Sequence, residues 1–93
     1  MLQMEARHQK IVLSILSKYP YKFYAYGSRI KEKAGKHSDL DLCFYEEIPW
    51  NVLSHIREDF EESNLPFKVD LVYWKWMSPE FQKLVKADLT LLW

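Results

Sequence analysis

Ile11, Val12, Ile15, Leu16 and Tyr19 recur at the spacing of one helix face, and Pro20 stops the pattern, so residues 5–19 are predicted to form an amphipathic helix. Residues 22–26 are aromatic-rich and extended in character and run straight into Gly27-Ser28, a strand-then-turn signal. A short helix is expected to follow at residues 28–33. In the segment 39–45, Asp, Leu, Asp, Leu, Cys, Phe and Tyr follow one another, and a strand there places Leu40, Leu42 and Phe44 on one face and Asp39 and Asp41 on the other. Pro49 suits the first turn of a second long helix, continued by Val52, Leu53, Ile56 and Phe60 and ended by Leu65-Pro66. Residues 67–73 read as a third strand, in which Asp70 stands out among Val69, Leu71 and Val72. Ser78-Pro79-Glu80 combines an N-cap, a proline at the first helical position and an acid favoured by the helix dipole, and opens a last helix carrying Phe81, Leu84, Val85 and Leu89. Residues 90–93 suit a terminal strand or a docked end. In Tyr73-Trp74-Lys75-Trp76-Met77, strand alternation would set Trp74 and Trp76 on one side and Tyr73 and Lys75 on the other, leaving one set for a protein interface.

Helices alternating with strands predict an α/β (α+β) fold, a small mixed β-sheet with helices packed on it. The chain has 93 residues, 48% of them hydrophobic and 28% charged, which fits one domain spanning 1–93. A chain this short buries only about 60–65% of its unfolded surface, so a partner or a second copy of itself would add stability. Thirteen basic and thirteen acidic residues cancel, which argues against general nucleic-acid binding, where a basic surplus is the rule. The opening MLQMEARHQK has no apolar core of signal-peptide length, and no apolar run approaches bilayer-spanning length. Together with a lone Cys43, which has no internal disulfide partner, this predicts a cytoplasmic protein that does not enter membranes.

The chemistry lies in the acids. Asp39 and Asp41, two apart on one strand, aim both carboxylates the same way and suit Mg²⁺, a hard cation that takes oxygen ligands. Asp70 on a neighbouring strand could complete a two-metal site of the kind that neutralises a triphosphate during in-line transfer. The turn Gly27-Ser28 offers backbone N–H groups and a hydroxyl to phosphate oxygens at a helix N-terminus, and Arg29 could fork onto a phosphate. His8, His37 and His55 lack metal-ligand spacing and are expected at the surface, and Cys43 is expected to be a small buried filler.

Gly27-Ser28-Arg29 followed by Ser38-Asp39-Leu40-Asp41-Leu42, with the later Val69-Asp70-Leu71-Val72, resembles the signature of the minimal nucleotidyltransferases of the DNA-polymerase-β-like superfamily. That resemblance implies the family's fold, metal ligation by Asp39, Asp41 and Asp70, and nucleotide binding by Gly27, Ser28, Arg29 and Ser38. It implies Mg²⁺ as cofactor, with Mn²⁺ as a substitute, and ATP as substrate. Small members resemble antitoxins paired with helical HEPN ribonucleases, which implies transfer of AMP onto a tyrosine of such a partner. Glu32 departs from the glycine that many members carry, and repels phosphate unless it points away or Lys31 or Lys33 pairs it. Two other readings compete: a non-catalytic module that neutralises its partner by covering it, and a transferase acting on a small molecule or an RNA end.

Overall fold

The structure is a computed structural model that describes residues 4–27 and 39–93. The short helix expected at 28–33, together with Ser28, Arg29, Glu32, His37 and Ser38, lies outside the described residues. Three helices, α1 (Ala6–Leu16), α2 (Trp50–Glu61) and α3 (Pro79–Lys86), accompany four strands, β1 (Tyr24–Tyr26), β2 (Leu40–Phe44), β3 (Val69–Tyr73) and β4 (Thr90–Leu91). The sheet order is β3-β2-β1-β4, with β1 antiparallel to both neighbours and β2 parallel to β3. A parallel pair needs a crossover, and α2 supplies it.

Alternation along β2 splits the core into two layers. On one face Leu40, Leu42 and Phe44 join Val12, Ile15 and Leu16 of α1 and Leu53, Ile56 and Phe60 of α2. Phe44 stacks on Tyr73 across the parallel pair, with ring centroids 5.5 Å apart, which fixes the β2–β3 register on the core side. The opposite face carries Tyr26 and Cys43, covered by Met77 and by Val85 of α3. Cys43 is fully buried, as expected of a filler, and burial pushes its thiol up to about 11, so it is not poised as a nucleophile.

α3 begins as its sequence dictates: the Phe81 N–H donates to Ser78 Oγ at 3.2 Å, Pro79 opens the first turn and Glu80 sits in it. Residues 90–93 form a strand with a docked end, because Leu92 N–H donates to the Phe23 carbonyl at 2.9 Å and Phe23 N–H to the Trp93 carbonyl at 3.0 Å. Four expectations need correction. The first two helices are shorter than the periodicity suggested, and Pro49 is the N-cap of α2 rather than part of its first turn. His8 is half-buried, its ring edge-on to Phe67 at 5.7 Å. Trp74–Trp76 form a 3₁₀ turn, so strand alternation does not apply there: Trp74 packs on the α3 side while Trp76 is 59% exposed.

Candidate active site

Asp41 is the second residue of β2, on the α3 face, and its register partner on β3 is Asp70. Neighbouring strands lie about 4.8 Å apart, so the two residues stand side by side. On the other flank Asp41 is paired with Tyr26 of β1. Asp39 enters β2 one residue before it begins and is exposed. α3 covers Cys43 and Tyr26 but stops short of the acids, where Asp41 is half-buried and Asp70 exposed. This end of the sheet carries the carboxylates.

Among the described residues the acids raise one another's electrostatic cost. Burial, then the charge of Asp70, then that of Asp39 raise the Asp41 carboxyl above the ordinary carboxylate range. Tyr26 is pushed up to about 12, first by burial and then by Asp41, with Cys43 and Asp70 adding to it. Among the described residues no Lys, Arg or His forms an ion pair with Asp39, Asp41 or Asp70. As the side chains stand, the described residues also hold no group of three His, Cys, Asp or Glu drawn together tightly enough to grip one ion. Like charges within reach of one another spread apart, and a divalent cation is what would draw them in. The donor set fits Mg²⁺ or Mn²⁺: hard carboxylate oxygens from two adjacent strands, on one face, with excess negative charge.

Gly27 shows why the turn after β1 must be glycine. Its φ is +86°, a conformation that side chains other than glycine's rarely adopt, and a Cβ built there would stand 2.5 Å from Asp41 Oδ2. The turn backbone therefore lies directly against the carboxylate. A triphosphate held at that turn would sit beside the metal ligands, which is the juxtaposition phosphoryl transfer requires.

Asp41 and Asp70 also line a cavity of about 640 Å³ that runs from Tyr26 over the β3 edge to Arg57, Phe60 and Lys68. Of the residues expected in the site, Gly27, Asp39, Asp41 and Asp70 fall at one end of the sheet, while Ser28, Arg29 and Ser38 lie outside the described residues. The sequence reading missed Tyr26, whose only signal was its place before Gly27, and Arg57 and Lys68, which carry no local signal.

The family described as polymerase beta nucleotidyltransferase matches residues 9–93. The chain is 38% identical over 89 residues, 91% of its own length and 78% of the relative's, to a "probable protein adenylyltransferase MntA" of Haemophilus influenzae (strain ATCC 51907 / DSM 11121 / KW20 / Rd). Its fold is similar to that in the crystal structure of a toxin–antitoxin with AMP-PNP, at TM-score 0.68 and 20% identity over 91% of this chain and 72% of that one. A mutant MntA–HpeT toxin–antitoxin structure with two aspartates changed to glutamate gives TM-score 0.61 and 17% identity over 91% and 71% of the two chains. With the acid pair, the glycine turn and the third acid on one sheet end, and with the family matched over nearly its whole length, the chain belongs to the polymerase β nucleotidyltransferase family.

Proposed function

We propose that this nucleotidyltransferase moves AMP from ATP onto a tyrosine hydroxyl of a helical HEPN toxin, acting in the cytoplasm as the antitoxin of that pair. The observation that carries the reading is the pairing of Asp41 with Asp70 in register, with Gly27 pressed against the Asp41 carboxylate. A relative described as a probable protein adenylyltransferase supports adenylyl transfer to a protein, and the fold recurs in a toxin–antitoxin with AMP-PNP. Asp39, Asp41 and Asp70 are the ligands proposed for Mg²⁺, which supplies charge neutralisation on the triphosphate. Gly27, Ser28, Arg29 and Ser38 are proposed to orient the phosphates, leaving Asp70, on the edge strand, to accept the hydroxyl proton. The acceptor protein is proposed to close the site and position the nucleophile.

Incubation with ATP, Mg²⁺ and the helical partner should add the mass of an adenylyl group to a partner tyrosine. Asp41→Asn should lower that rate by at least about 10²–10³-fold, the scale of losing one charge-stabilising group. Unmodified partner after incubation with the wild-type chain contradicts the reading. The exposed Trp50 and Trp76 favour a second contribution, neutralisation by complex formation alone. A partner still fully silenced by the Asp41→Asn variant would establish binding as sufficient.

A further inference from the structure

We infer that the acceptor tyrosine reaches this site in an extended segment of the partner, a tail or loop rather than a helix, which adds as a strand to the open edge of β3; this rests on the proposed transferase reading. Three observations meet here. First, β3 is the edge of the sheet. Leu40 N–H donates to the Lys68 carbonyl at 2.9 Å, so by the alternation of a parallel ladder the backbones of Lys68, Asp70 and Val72 face β2, and those of Val69, Leu71 and Tyr73 face outward. The guanidinium of Arg57 confirms the outward direction, because its Nη2 reaches the Leu71 carbonyl at 3.4 Å, a long bond that an incoming N–H can replace. An outward-facing row of backbone groups at a sheet edge is a template for another strand.

Second, in-line transfer sets attacking and leaving oxygens on opposite sides of the phosphorus. The Gly27 turn follows β1 and lies on the β1 side of Asp41, while Asp70 lies on its β3 side. With the triphosphate at Gly27, the hydroxyl must arrive over β3. Third, the cavity of about 640 Å³ spans that route, from Tyr26, Asp41 and Asp70 around the edge to Phe60, Leu65 and Phe67. Of the charged residues lining it besides Asp41 and Asp70, Arg57 and Lys68 outnumber Glu61, so the segment best accommodated is apolar with an acidic residue near its tyrosine. The chemistry balances: the tyrosine oxygen bonds to the α-phosphorus, the bond to the bridging oxygen breaks, pyrophosphate leaves, and Asp70 takes the phenolic proton.

The test uses the full chain with Mg²⁺, an ATP analogue whose α,β-bridging oxygen is replaced by methylene so that no adenylyl transfer can occur, and a capped peptide of alternating Thr and Val with a central Tyr and one flanking Glu. Amide NMR should show the Val69, Leu71 and Tyr73 signals shifting and gaining exchange protection, with those of Asp70 and Val72 little changed. N-methylation at every second peptide amide should abolish binding in one phase and leave it intact in the other. Lys68→Ala should weaken peptide binding about tenfold. Peptide binding that leaves the outward β3 amides unmoved, absence of binding at millimolar peptide, or N-methylation that is equally harmful in both phases overturns the inference. Failure of adenylyl transfer to the intact partner, by contrast, speaks against the transferase reading itself.

Discussion

Replacing Asp41 by Asn should make the metal-free protein more stable. Asp41 sits directly beside Asp70 in the parallel pair, half-buried, with Asp39 close enough to raise its carboxyl further. Like charges opposite one another across strands cost up to about 1 kcal/mol. Asn keeps the shape and removes the charge, so a gain of about 1 kcal/mol follows, a rise in Tm of about 4–8 °C for a domain of this size. The sign with pH follows from linkage. Burial and its like-charged neighbours raise the folded carboxyl above its unfolded value, so the folded state holds its proton to higher pH. Stability is therefore greatest below the unfolded pKa and falls as pH rises through the interval up to the folded one. The variant lacks this decline, so its advantage should be full at neutral pH and vanish in acid. Thermal unfolding by circular dichroism in EDTA, across pH, measures it. A variant no more stable than wild type at neutral pH refutes the reasoning that the carboxylates are held in mutual repulsion.

Gly27→Ala should destabilise the fold by about 1–2 kcal/mol, the cost of a side chain at positive φ, and should reduce transfer by more than unfolding explains, because the new methyl displaces the Asp41 carboxylate; thermal melts beside turnover numbers separate the two effects. Tyr19→Phe removes the hydroxyl that donates to Asp59 and joins the end of α1 to α2, and should cost about 1 kcal/mol by urea unfolding. The Tyr19 hydrogen bond leads the causes holding Asp59 below the ordinary carboxylate range, so that stability is present above the unfolded pKa and lost as pH falls through the folded one; the variant should show a flatter acid limb. Ser78→Ala should cost about 1 kcal/mol, through loss of the cap of α3, the helix that covers the face carrying the acids.

The helices were legible because burial of one face imposes a period: Val12, Ile15 and Leu16, and again Leu53, Ile56 and Phe60, are the buried positions of α1 and α2. β2 was legible for the same reason at period two, and its polar side held Asp39 and Asp41 in advance of any structure. The strand order was not. β1 lies between β2 and β4, and nothing local to residues 24–26 specifies either neighbour. The register that brings Asp70 beside Asp41 is set by Leu42 against Leu71 and Phe44 against Tyr73 on the far side of the sheet, contacts made only when α2 has carried the chain across. Gly27 was read as a phosphate turn, whereas its closest physical requirement is room for the Asp41 carboxylate. The Trp74–Trp76 turn escaped because a run of aromatics fits a strand until the Met77 N–H, bonding to the Trp74 carbonyl at 3.1 Å, ends it.

Binding of Mn²⁺ to the full chain in the presence of AMP-PNP, followed by electron paramagnetic resonance, bears most directly on whether these carboxylates form one divalent-cation site. Wild type should bind the ion, and Asp41→Asn and Asp70→Asn should each weaken binding by at least about 10–100-fold, since even outer-sphere partners of a metal site have that effect. Mn²⁺ held as tightly by both variants as by wild type would contradict the account.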